Sequence, residues 1–275
     1  MTDDDLINII IKHRQDHPNY LEITNTSRHH RCIVCFSSNS IFYPDTIDRF
    51  RTEIQDNDRY EWKKTLLSAD YASFDKIILV RDITKAWYHK GINQQQNDFY
   101  KLSTLLLNIT RKYENVVYLG VSAGGYASLK IGTINQASKI VAVNPMFAPD
   151  YILNFSSSEN EFKDLFMKRS NFHEDVLIFP KNSRLDYRAL NWILKHTQFK
   201  PTLIIGDKHK NYLYPETVIK LASTRQNMEG IHDKLYKPLE FDLYILGLKH
   251  FMFCSIHFTK ARISRKLRKI FNKFF

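Results

Sequence analysis

Near the middle of the 275-residue chain, one stretch gathers residue types that could do chemistry: Tyr118-Leu119-Gly120-Val121-Ser122-Ala123-Gly124-Gly125-Tyr126-Ala127-Ser128-Leu129. A Val/Tyr/Leu run reads as a strand, G-x-S-x-G follows, and a helix-forming run comes next, which is the setting of a nucleophile elbow. A serine at so sharp a turn occupies a strained backbone conformation that lifts its hydroxyl above the sheet, and glycines flank it because any Cβ there would collide with neighbouring backbone. The chain has only eight glycines, and three of them fall inside this window of six residues. The helix starting after Ser122 aims its first amides at the serine, so the Ala123 N–H is predicted to stabilise an oxyanion. The same pentapeptide also occurs as an ordinary glycine-rich turn; the strand before it and the helix after it are what favour chemistry.

A serine hydroxyl is a weak nucleophile until an imidazole takes its proton, and a carboxylate in turn fixes the imidazole tautomer. On an elbow of this kind the chain order is Ser, acid, His. Late in the chain a strand-like run ends, Gly247 opens a turn and His250 follows, which makes His250 the predicted base; His257, in the next helical stretch, is its competitor. Asp207 is the first carboxylate after the run 201–206 and is the predicted acid. The commoner acid position, two residues further on, holds His209, and Asp150 is the alternative acid. For a second oxyanion donor, the loop Cys35-Phe36-Ser37-Ser38-Asn39-Ser40 offers the N–H groups of Ser37 and Ser38, although an ordinary Ser/Asn turn accounts for the same residues. The stretch Arg81-Asp82-Ile83-Thr84-Lys85-Ala86-Trp87-Tyr88 follows another strand-like run, where open sheets bind ligands, so Arg81, Trp87 and Tyr88 are predicted to contact substrate. Arg81-Asp82 fits a structural salt bridge equally well, with Trp87 and Tyr88 capping the core.

Positioning these residues requires a sheet. Runs rich in Val, Ile, Leu, Tyr and Phe at 31–36, 76–81, 115–120, 139–144, 201–206 and 241–246 read as buried strands. Helix-length segments at 97–113, 124–134 and 215–224 alternate with them, which predicts an α/β fold with a mostly parallel sheet and helices on both faces. The interval 149–200 is longer than a crossover needs and is expected to carry a helical insertion or lid, within one domain spanning 1–275. Cys32 and Cys35 have CxxC spacing but sit in a strand-like run, where positions three apart point to opposite faces, so the core reading outweighs metal or redox roles.

Lys and Arg number 40 against 29 Asp and Glu, a formal net charge of +11, which favours acidic partners. No zinc-finger spacing, RNA-recognition signature or Gly-rich phosphate loop accompanies the charge, so nucleic acid is not the expected partner. The first residues are acidic where a secretory signal would be basic, and no apolar run reaches the roughly 20 residues that span a bilayer, so a cytoplasmic location is expected. In 257–275, cations surround Ile263, Leu267, Ile270, Phe271 and Phe274 at helical spacing; such a helix could lie on an anionic inner-membrane surface or dock on the domain.

With the segment Gly120 to Ala127, the loop from Val80-Arg81-Asp82 to Trp87-Tyr88 and the late His250 assembled, the chain resembles hydrolase-like proteins encoded with bacterial capsule biosynthesis. Among these it is most similar to capsule-polysaccharide O-acetyltransferases of α/β-hydrolase fold, and the resemblance spans about residues 32–252. It implies acetyl-CoA as donor, an acetyl-serine intermediate, a sugar hydroxyl of a polysaccharide or oligosaccharide as acceptor, and no metal. Ser122 would attack the thioester, His250 shuttle the proton and Asp207 orient His250. With water as acceptor the same triad would be a carbohydrate or lipid esterase, and His209 at the usual acid position leaves open a catalytically inactive binding protein of the same fold.

Overall fold

The computed structural model describes residues 3–26, 29–67, 73–145, 175–180 and 202–206. The chain divides into two compact units, Met1–Gln226 and Asn227–Phe275, and every described residue lies in the first.

Helix α1 (Asp3–Asp16) leads into β1 (Tyr20–Thr24) and β2 (Arg31–Phe36), and short helices α2 (Ile47–Phe50) and α3 (Lys63–Leu67) precede β3 (Lys76–Val80). There follow α4 (Phe99–Thr110), β4 (Asn115–Val121), α5 (Ala123–Ile134), β5 (Lys139–Val143), β6 (Val176–Pro180) and β7 (Thr202–Gly206). The strands form one seven-stranded sheet in the order β1-β3-β2-β4-β5-β6-β7. β1 runs antiparallel to β3 at the edge, and every other pairing is parallel.

The strands in the middle of the sheet read as apolar runs because both of their faces are covered. From β2 to β6, Ile33, Cys35, Ile77, Leu79, Val117, Leu119, Val121, Val141, Val143, Val176 and Ile178 line one side and pack with Tyr60, Trp62, Leu66 and Phe74. The intervening residues face the other side, where α5 packs on β2, β4 and β5. A Cβ on Gly132 would lie 2.8 Å from Ile140 Cγ1, so a residue without a side chain sets how closely α5 approaches the sheet. α4 begins at Asp98, whose carboxylate accepts the Lys101 N–H at 2.8 Å, a side-chain cap of the usual kind.

The expected strands 31–36, 76–81, 115–120, 139–144 and 201–206 all form, to within a residue at their ends. One finding differs from expectation: β6 lies within the interval read as a helical insertion, so that interval contributes a strand between β5 and β7. The rest of the interval, and the expected elements 215–224, 241–246 and 257–275, lie outside the described residues. Cys32 and Cys35 are buried free thiols of β2, and burial pushes the Cys32 thiol up to about 12. Among the described residues no helix is long and apolar enough to cross a membrane.

Candidate active site

Ser122 stands between β4 and α5 with φ 54° and ψ −117°, a region that residues with a Cβ rarely occupy and that costs about 1–3 kcal/mol. Its surroundings hold it there. The Ser122 N–H donates to Val143 O of β5 at 2.8 Å, and its carbonyl accepts the Tyr126 N–H at 2.9 Å. A Cβ on Gly120 would lie 2.1 Å from Gly124 O, one on Gly124 would lie 2.4 Å from Phe36 O, and one on Gly125 would lie 2.7 Å from Val143 O. All three contacts are with backbone, which cannot swing aside, so glycine at these positions is a condition of the turn. The Ser122 side chain makes no capping bond to α5, in contrast to Asp98 at the head of α4. From Val117 to Thr133 every residue is buried except Ser122. Ala123 is the first residue of α5, so its N–H has no partner within the helix.

The fold is α/β-hydrolase-like. Parallel strands flank β4, the strained Ser122 turn sits at its carboxyl end, and the helix that follows packs back on the sheet. No protein-family model matches the chain, and no curated protein matches it. Solved structures of similar fold include a capsule O-acetyltransferase of Neisseria meningitidis serogroup A, with 14% identity over 74% of this chain and 86% of that one and a TM-score of 0.49. A glycosylation-associate protein complex from Streptococcus agalactiae shows 16% identity over 74% of this chain and 43% of that one, TM-score 0.48. A fluorophosphonate-binding serine hydrolase of Staphylococcus aureus shows 11% identity over 75% of this chain and 93% of that one, TM-score 0.44.

Of the triad read from the sequence, Ser122 is described, whereas Asp207, its alternative Asp150, and His250 lie outside the described residues. The loop after β2 carries the two amides read as oxyanion donors, Ser37 and Ser38. The Ser37 N–H donates to Val80 O at 2.9 Å, continuing the ladder to β3, and the Ser38 N–H donates to the Glu61 carboxylate at 2.5 Å. Both amides proposed as oxyanion donors are therefore already taken. Burial raises the Glu61 carboxyl above its usual range, while its bonds from the Ser38 N–H and hydroxyl work the other way.

Two of the three expected substrate contacts are also corrected. Arg81 is wholly buried; its Nε donates to Asn19 Oδ1 at 3.1 Å and its Nη1 donates to Arg59 O at 3.0 Å and pairs with Asp58 at 2.9 Å. Its guanidinium lies 4.4 Å from the Tyr60 ring centroid. A cation so enclosed is spent on structure, and its partner is Asp58 rather than the adjacent Asp82. Tyr88 is equally buried, with its hydroxyl donating to Ser37 O at 2.7 Å. Trp87 is also buried, but its indole N–H has no partner among the described residues.

Sequence reasoning gave Asp82 only as a possible ion pair or ligand contact, and passed over Glu61 and His89. Asp82 is buried and accepts from Thr84 N–H, Thr84 hydroxyl, Ala86 N–H and Tyr88 N–H, which organises the loop after β3. An Asp just past the end of a strand with a Thr two residues on is the signal that could have marked it, as an Asx-turn. Glu61 and His89 carried no such signal. His89 Nε2 lies 3.0 Å from the Tyr126 hydroxyl, one helical turn beyond Ser122.

Proposed function

We propose that this protein is a serine acyltransferase that carries an acetyl group from acetyl-CoA to a hydroxyl of a polysaccharide or oligosaccharide. The observation that supports it most is the strained backbone of Ser122, held by close glycine contacts with its side chain left out of helix capping. A fold seldom maintains a conformation costing about 1–3 kcal/mol unless the displayed group is used. Donor and acceptor come from the resemblance of the elbow, the loop after β3 and the late histidine to capsule O-acetyltransferases.

In the first step, His250 removes the Ser122 proton as Oγ attacks the thioester carbonyl. The tetrahedral oxyanion faces the Ala123 N–H, the C–S bond breaks, and the CoA thiol leaves with the proton from His250. In the second, the sugar hydroxyl gives its proton to His250 and attacks the acetyl-serine; the sugar ester departs and Ser122 regains its proton. Asp207 holds the His250 tautomer throughout. Trp87, with an unused indole N–H, is the remaining candidate for substrate contact in the loop after β3. The surplus of cations, net +11, suits CoA phosphates and an anionic glycan, and the basic segment 257–275 would suit work beside an anionic membrane.

Intact mass after incubation with acetyl-CoA tests the proposal, with wild type and Ser122→Ala compared in the presence and absence of capsular oligosaccharides. The expected result is one acetyl group on the wild type alone, discharged by a particular glycan. Cleavage of simple acetyl esters through Ser122, without acetylation by acetyl-CoA, would replace the transferase with an esterase.

A further inference from the structure

The peptide joining Ser37 to Ser38 is pinned at both ends. Its carbonyl accepts the Tyr88 hydroxyl at 2.7 Å and its N–H donates to Glu61 Oε2 at 2.5 Å. Ser38 Oγ donates to Glu61 Oε1 at 3.1 Å, the Glu61 N–H donates to Ser37 Oγ at 3.4 Å, and the next residue, Trp62, donates its indole N–H to Phe36 O at 3.0 Å. The Ser37 carbonyl oxygen lies 2.9 Å from where a Gly124 Cβ would stand, so it faces the helix that carries the nucleophile. A trans peptide is planar, with its N–H directed opposite to its C=O. The Ser38 N–H therefore points away from Gly124, into a carboxylate.

We propose that Glu61 is a latch on the oxyanion loop: it competes with the acyl oxyanion for the Ser38 N–H, and acylation of Ser122 proceeds when that peptide is released. This rests on Ser122 being the nucleophile. A carboxylate accepts an N–H more strongly than a neutral carbonyl does, and its charge repels an oxyanion forming nearby, so both effects act against acylation while the latch is closed. Tyr88 secures the other end of the peptide, and Asp82 secures Tyr88 by accepting its N–H at 2.8 Å. The loops after β2 and β3 thus meet at one peptide unit.

The test is the second-order rate of labelling by a fluorophosphonate, read by intact mass, for wild type, Glu61→Ala, Glu61→Gln and Ser122→Ala, each with its circular dichroism and thermal midpoint recorded. The latch predicts that Glu61→Ala labels roughly tenfold faster than wild type. Glu61→Gln, a neutral acceptor of the same shape, falls between them. Ser122→Ala stays unlabelled. A folded Glu61→Ala or Glu61→Gln that labels no faster than wild type overturns the latch and leaves the nucleophile standing. If wild type and both Glu61 variants all remain unlabelled, the nucleophile reading fails and the latch with it.

Discussion

The turns that leave β3 and β4 begin alike and end differently. Both depart from the carboxyl end of a parallel strand, and both contain residues forced into left-handed backbone: Lys85, Trp87 and Tyr88 in the first, Ser122 in the second, at φ 55°, 52°, 64° and 54°. After β3 the strain is absorbed. The Asp82 carboxylate accepts four donors from the loop, Tyr88 turns inward to Ser37, and Trp87 and Tyr88 are buried. After β4 the strained residue is the one residue not fully buried in the run from Val117 to Thr133, and its side chain does not cap α5. Strain by itself therefore does not mark a nucleophile. Strain that displays a side chain distinguishes the second turn from the first.

Four experiments would sharpen or break this contrast. The largest effect is expected at the displayed residue: Ser122→Ala should lower acyl-enzyme formation by about 10³-fold or more, with no fall in thermal midpoint. Equal labelling of the variant would place the nucleophile elsewhere. In the inward turn the loss should appear in stability instead. Asp82→Ala strands three backbone N–H groups and a hydroxyl, and urea titration should show about 3–5 kcal/mol lost. A loss below 1 kcal/mol would mean that the loop keeps its strain without the carboxylate. Gly124→Ala should cost about 3 kcal/mol and slow labelling together, since the added Cβ meets Phe36 O and Ser37 O and drives the two loops apart. A stable variant with wild-type labelling would show that this spacing is not critical.

The smallest effect concerns the cation that the sequence assigned to substrate. His13 of α1 and His17, just past its end, stack with ring centroids 4.8 Å apart, and His13 Nε2 lies 3.4 Å from Arg81 Nη2. Burial, the Arg81 charge and the neighbouring His17 bring His13 down from 6.5 to about 4, and burial and Arg81 lower His17 as well. The unfolded chain therefore takes up protons that the folded chain refuses, and stability should fall as pH drops from 6.5 towards 4. Thermal midpoints of wild type and His13→Gln across this range check it: the variant should decline less steeply, and parallel curves would remove the histidines from the account.

The sheet was legible because its buried strands are nearly continuous apolar runs, and the elbow because glycine is scarce in this chain yet concentrated there. The edge strand Tyr20–Thr24 escaped notice since half-exposed positions give it the polar alternation of a loop, and its pairing with β3 exists only in three dimensions. Arg81 misled for a related reason. A cation just past a strand suggests a ligand, and nothing in the sequence ties it to His13, His17 and Asn19 or to Asp58, which come from two segments remote from it in the chain. The bonding of the loop after β2 was not legible, because the residue occupying the Ser38 amide, Glu61, lies 23 positions further along.

The burial of α5 bears on how the protein moves. Its residues from Ala123 to Thr133 are covered on every side, including Lys130, whose ammonium sits 4.6 Å from the Phe99 ring centroid. Amide protons in such a helix exchange with solvent only through rare, large openings. Ser122 is thus mounted at the head of a helix expected to be among the slowly exchanging parts of the described structure, a rigid base for whatever its hydroxyl does.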